Sequence, residues 1–128
     1  MATNDRIQRG RLGEDVAARH LVGCGYRILA RNYRTRSGEL DLVVADPRYL
    51  VFCEVKTRVA GTRAGPVGAL EAIGAVKRRQ VRAMAREWLA GRPRGAIGLA
   101  DELRFDAIGV TINAAGGLLA LEHIEDAF

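Results

Sequence analysis

Aromatic side chains are scarce in this chain, at 5% of residues, which argues against nucleic-acid binding through rows of stacked bases, a mode that needs aromatic platforms. Cysteine is scarcer still. Cys24 and Cys53 fit neither a metal-ligand spacing nor a disulfide framework, so both are expected as free thiols in a reducing compartment. No apolar run approaches the roughly 20 residues that a membrane-spanning helix needs. The opening residues, MATNDRIQRGR, carry charge without the apolar stretch of a secretory signal, so a cytoplasmic protein is expected. Lysine is the last shortage: of 20 basic residues, all but Lys56 and Lys77 are arginine. A chain that uses Arg so freely is expected to keep Lys where a compact ammonium is wanted rather than a planar fork.

What remains is enough for one domain with one core: 128 residues, 48% of them hydrophobic. The net charge of +5 points to an acidic partner. Its distribution says more. Residues 1–36 hold eight Arg against three acids, and residues 58–94 hold nine basic groups against two acids. Between them, residues 37–57 carry four acids and two bases. Two basic blocks around a short acidic stretch suit a phosphate-binding surface around a metal-binding centre; the alternative is a solvated surface in an Arg-rich chain.

Ile7, Leu12, Val16, Ala17 and Leu21 repeat at helical spacing, so a helix is predicted from Arg6 to about Val22, stopped by Gly23 and Gly25. Strands are predicted over Tyr26–Tyr33, Glu39–Ala45 and Tyr49–Thr57, the last two joined tightly by Asp46-Pro47-Arg48. A loop with Gly61, Gly65 and Pro66 leads to a second helix from about Gly68 to Ala90. Its stripe is Leu70, Ile73, Val76, Val81, Met84, Trp88 and Leu89. Leu103–Ile112 and Leu118–Ile124 read as two further strands, the second returning beside the first. The fold class is α/β, a mixed sheet with flanking helices.

The middle hairpin carries the chemistry. If its turn is centred between Pro47 and Arg48, Asp41 lies opposite Glu54 and Glu39 opposite Lys56. Opposed residues share a face with Cβ atoms about 5 Å apart, and the two-residue period puts all four on it. Paired carboxylates repel in a half-buried setting, and a magnesium ion between them relieves this, since Mg²⁺ is held by one or two carboxylates plus waters and phosphates. The bland alternative is a set of surface salt bridges, Glu39 with Lys56 among them.

The runs Gly38-Glu39-Leu40-Asp41-Leu42-Val43 and Val51-Phe52-Cys53-Glu54-Val55-Lys56-Thr57-Arg58, followed by Arg104-Phe105-Asp106, closely resemble the YraN family, whose fold is similar to archaeal Holliday junction resolvases. Their spacing is that of the PD-(D/E)XK nuclease superfamily, and the resemblance reaches from Gly13-Glu14 through Lys77 to Asp106. It implies a restriction-endonuclease-like core in α-β-β-β-α-β order and a hydrolase that cuts DNA with Mg²⁺ or Mn²⁺. It further implies metal ligation by Asp41, Glu54 and the Val55 carbonyl, with Lys56 as catalytic lysine and Glu14 as the helix acid brought toward the metal. Resolvase-like proteins act as dimers, because a four-way junction offers two equivalent cleavage points, so a homodimer is also implied. Leu40 departs from the nominal proline, and Cys53 from an aliphatic position.

The other candidates keep their alternatives. Glu14 also reads as a helix acid paired with Arg11 or Arg19, and Asp106 as structural. His20 and His123 fit no ligand or triad pattern. Arg78, Arg82 and Arg86, at i, i+4 and i+8, make a basic ridge read as a phosphate track, joined by Arg34, Arg36, Arg58 and Arg63. Two functions are open: a metal-dependent endonuclease acting on branched or structured DNA, or a DNA-binding module of a repair assembly without useful turnover. The basic surface does not separate DNA from RNA.

Overall fold

The computed structural model describes residues 2–61, 73–92 and 102–128, with side chains from Ile7 onward. Helix α1 (Ala2–Gly23) buries Val16, Ala17, Ala18 and Leu21. Ile7, at the head of the same stripe, is 48% exposed. The helix ends in a Schellman arrangement: Gly25 N–H donates to Val22 O and Tyr26 N–H to Leu21 O, both at 3.0 Å. Gly25 allows it by taking a φ of +97°.

Among the described residues, five strands follow the predicted order. They are β1 (Arg27–Thr35), β2 (Gly38–Ala45), β3 (Tyr49–Val59), β4 (Glu102–Ile112) and β5 (Leu118–Ile124), with α2 (Ala75–Ala90) between β3 and β4. They form one sheet in sequence order, antiparallel except where β3 and β4 run parallel. That parallel pair requires a crossover, and α2 lies within it. This is the expected α/β class: a mixed sheet with two helices, in accord with a restriction-endonuclease-like core.

Each helix covers one face. On the α1 side, Val16, Ala17, Ala18 and Leu21 pack with Leu42, Val44, Val51, Cys53, Ile108, Val110 and Ile112. On the α2 side, Val81, Met84, Ala85 and Trp88 pack with Val43, Ala45, Leu50 and Phe52. Each fully buried Val, Leu, Ile, Phe or Met among these contributes about 1.5–3 kcal/mol. Trp88 meets Phe52 edge-on at 5.9 Å.

The second helix differs from its prediction. It begins at Ala75, after Gly74 in an extended conformation (φ −73°, ψ 172°). Ile73 precedes it, packed with Ala107 instead of along the stripe, and Val76 is 73% exposed. A glycine is a poor helix former, so the apolar rhythm crosses a helix start here. Residues 68–72, including Leu70 of the predicted stripe, lie outside the described residues. Among those described, no helix is long and apolar enough to cross a membrane.

A candidate metal centre between the helices

The β2–β3 turn sets the register. Asp46 Oδ1 accepts from Arg48 N–H (2.9 Å) and Tyr49 N–H (2.6 Å), and Asp46 N–H donates to Tyr49 O. Pairing then runs from Ala45↔Leu50 to Leu42↔Cys53, the alignment read from the sequence. The ladder ends there, one step short of Asp41 and Glu54. Asp41 Oδ2 instead accepts the Val55 N–H at 2.8 Å, a side chain meeting backbone beyond the end of the ladder. Facing also changes at this point: Leu42 packs on the α1 side, but Leu40 packs on the α2 side. Asp41 thus sits where β2 switches faces, within reach of groups from both helices.

From α1 comes Glu14. Gly13, its neighbour, lies so close to β3 that an added Cβ would fall 1.7 Å from Thr57 Oγ1. Only glycine permits that approach, and it sets Glu14 against β2. Asn32, at a left-handed φ of 52° in β1, hydrogen-bonds the Glu14 carboxyl. Glu14, Glu39 and Asp41 each offer an oxygen within 4.8 Å of the others. No ion pair ties Glu14 to Arg11 or Arg19 among the described residues; Asp15 is the acid that pairs, with Arg31. Glu39 pairs with Arg34 across β1 at 3.4 Å, in place of the expected Lys56.

From the other side comes Glu54, with Leu50 and Phe52 on the α2-facing side of β3. Its side chain is 5% exposed, and Lys77 of α2 places Nζ 3.2 Å from Oε1. Oε2 is buried and has no hydrogen-bond donor among the described residues. Lys56, two residues on, is exposed and acts on Glu54 more weakly than Lys77 does. The four expected groups therefore do not form one patch. Glu14, Glu39 and Asp41 cluster, Glu54 adjoins Asp41, and Lys56 stands outside. Lys77 was missed as a partner, and its signal was the rarity of lysine.

Electrostatics match the geometry. Burial and the neighbouring Glu54 push Asp41 up to about 7, against the Val55 hydrogen bond. Burial raises Glu54 despite Lys77, and burial followed by Asp41 raises Glu14. Lost water raises all three carboxyls, and neighbouring carboxylates add to the rise at Asp41 and Glu14. The donor set, all carboxylate oxygens with one buried and unpartnered, fits a hard divalent cation.

The arginines are spread more widely. Arg34 borders the cluster, and Arg36 is exposed at the β1–β2 turn. That turn is held to α2: Thr35 and Ser37 hydroxyls both donate to Glu87 at 2.7 Å, and Gln80 donates to Ser37 O. Arg58 is half-buried in β3. On α2, Arg78 donates to Ile73 O, Arg82 lies 4.9 Å over the Phe105 ring, and Arg86 is exposed. Arg63 lies outside the described residues.

A second polar group lies under the end of α1, and here the sequence reading of the histidines is corrected. His20 Nε2 is 3.0 Å from His123 Nδ1, and His123 Nε2 is 2.7 Å from Asp106 Oδ2. Strand β5, antiparallel to β4, makes this meeting possible by setting His123 opposite Ile108. Asp106 is fully buried and also accepts from Arg104 and from Asp126 N–H. Both cysteines are free, Cys24 exposed and Cys53 buried.

Comparison with known proteins agrees with the breadth of the resemblance. The model of an uncharacterised protein family, UPF0102, matches residues 13–110. A UPF0102 protein of Frankia casuarinae is 50% identical over 119 residues, covering 93% of this chain and 94% of that protein. One from Anaeromyxobacter dehalogenans is 44% identical over 119 residues, 93% and 82% of the two chains. Another, from Mycobacterium ulcerans, is 45% identical over 114 residues, 88% of each.

Proposed function

This chain belongs to the uncharacterised protein family UPF0102, of YraN type, and from that premise we propose that it is a divalent-metal-dependent endonuclease of DNA, with the PD-(D/E)XK site of resolvase-like nucleases. The observation that carries this reading is Glu54 Oε2, a buried carboxylate oxygen with no hydrogen-bond donor among the described residues, beside an Asp41 pushed up to about 7 by burial and by Glu54 itself. A buried polar atom left unsatisfied normally costs about 1–3 kcal/mol. Such a cost is understandable where a ligand is meant to complete the site.

Asp41 and Glu54 would hold Mg²⁺ or Mn²⁺, with the Val55 carbonyl and Glu14 beside them. When bound, the cation supplies charge for the phosphoryl oxygens and lowers the pKa of water for attack on phosphorus. The chain's own residues do the rest. Asn32 and the Gly13 contact hold Glu14 in place, and the Val55 amide orients Asp41. Lys56, exposed at the mouth, is the motif lysine that meets the substrate phosphate. Arg34, Arg36, Arg58, Arg63, Arg78, Arg82 and Arg86 carry the flanking backbone by phosphate contact, which favours duplex or branched DNA over base stacking. A homodimer acting on four-way DNA is part of the same reading.

The test is incubation with labelled linear, single-stranded, flapped and four-way DNA, with and without Mg²⁺ or Mn²⁺. At least one structured substrate should be cut only with metal. EDTA should abolish cutting, and Lys56→Ala should nearly do so. Cutting that survives both treatments would place the activity elsewhere, and metal-independent binding without any cutting would leave a DNA-binding module.

A further inference from the structure

The fold carries one lysine into direct contact with the acidic centre, and it is not the lysine of the motif. Lys77 stands in the first turn of α2, with Nζ 3.2 Å from Glu54 Oε1. Glu54 Oε2 is buried and has no hydrogen-bond donor among the described residues. Lys56, the only other lysine, forms no ion pair among the described residues. The choice of ion matters in a chain with 18 arginines. An ammonium is a point charge that satisfies one oxygen. A guanidinium is a planar fork that commonly grips both oxygens of a carboxylate at once. At this position the difference decides whether Glu54 keeps an oxygen for anything else.

We propose that Lys77 is a positioning residue: it pins Oε1 of Glu54 and thereby reserves Oε2 for the divalent cation. This rests on the metal-centre reading above and sharpens it. A carboxylate that ligates a metal needs its rotamer set by an outer partner, and loss of such partners typically costs about 10–100-fold in metal affinity or activity. A purely structural ion pair would demand only opposite charge, and Arg would serve it as well as Lys.

The discriminating variant is therefore Lys77→Arg. Its melting temperature in EDTA should stay near that of the wild type, because charge is kept and the side chain is 36% exposed with room to adjust. Its Mn²⁺ dissociation constant, read by calorimetry, should rise roughly 10–100-fold. On a DNA substrate that the wild type cuts, Lys77→Arg should slow single-turnover cleavage by a similar factor while DNA affinity stays within about twofold. Mn²⁺ binding by Lys77→Arg equal to the wild type would overturn the proposal. So would a variant that melts far below the wild type, which would make the lysine side chain a packing requirement of the fold and not a group that positions Glu54 for the metal. If Mn²⁺ binding weakens as expected but the wild type cuts no DNA, the role of Lys77 stands and the nuclease reading falls. If the wild type binds no Mn²⁺, both fall.

Discussion

Two buried carboxylate groups flank this sheet, and they solve the same problem in opposite ways. Asp106 is fully buried, yet both its oxygens are occupied: Arg104 Nε at 2.8 Å and the Asp126 amide at 3.0 Å on one, Arg104 Nη2 at 2.9 Å and His123 at 2.7 Å on the other. Burial alone would push its pKa up, but the bonds from His123, Arg104 and Asp126 outweigh it and hold the carboxyl below its ordinary value. Glu54 is almost as buried and has Lys77 on one oxygen and the Asp41 carboxyl beside it; Asp41 accepts one backbone N–H, and both are pushed upward. Burial is common to both groups. The difference lies in the donors: Asp106 has enough of them to stay ionised inside the protein, and the Asp41–Glu54 pair does not.

The sharpest way to break this contrast is to remove the donors where they are complete. Arg104→Met should strand Asp106 inside the protein, a loss of about 3–5 kcal/mol for a truly buried partner. In a domain of this size that lowers the melting temperature by about 10 °C or more. A melt close to wild type would mean that Asp106 does not need its partners.

At the acidic centre the same kind of surgery should do the reverse. In EDTA above about pH 7, where Asp41 is ionised, Asp41→Asn should melt at or above the wild type, because it removes a repelling charge. The rise in melting temperature on adding Mg²⁺ should shrink in the variant. The pH dependence follows. An unfolded Asp ionises at about 3.9, whereas folded Asp41 keeps its proton up to about 7. Between those values the folded state binds the extra proton, so metal-free stability should fall as pH rises and level off above about 7. Asp41→Asn should flatten that decline. Asp106 works in the other sense: its contribution is present above about 3.9 and is lost as pH falls through its lowered value.

The smallest effect is expected outside both groups. Replacing Arg78, Arg82 and Arg86 together should flatten the log–log salt dependence of duplex binding by about 0.9 for each phosphate no longer neutralised. An unchanged slope would return this side of α2 to a solvated surface. Arg82 already stacks on Phe105, so its share of the change should be the least.

How much of this was legible in the sequence depended on whether the relevant contacts were local. The β2–β3 register could be read from Asp46 and Pro47 because a tight turn dictates it, and the strand order followed from turn residues and alternation. What failed was the extension of that alternation past Leu42. Strict period two puts Glu39, Asp41, Glu54 and Lys56 on one face, but β2 switches sides between Leu40 and Leu42, and nothing in the run GELDLV marks the switch. Residues delivered by other elements were harder still. Lys77 reaches Glu54 from a helix that starts after Gly74, and His20 meets His123 only because α1 ends over β5's neighbour in the sheet. Such meetings depend on packing between distant segments, for which spacing in the chain carries no information. The clues that existed were chemical: two lysines among many arginines, and a carboxylate with too few donors around it.

Gly13 ties the quality of one element to the working of another. Inside a helix, glycine is about 1 kcal/mol worse than alanine, so selection for helix stability alone would remove it. Nothing opposes that at Gly10, where an added methyl meets no atom within 4 Å. Three residues later the same methyl would collide with Thr57 Oγ1, lever α1 off β3 and carry Glu14 away from Asp41. Alanine can therefore strengthen this helix at Gly10 but not at Gly13 without disturbing the approach of Glu14 to Asp41, and the weaker helix is the one that keeps the acidic cluster assembled.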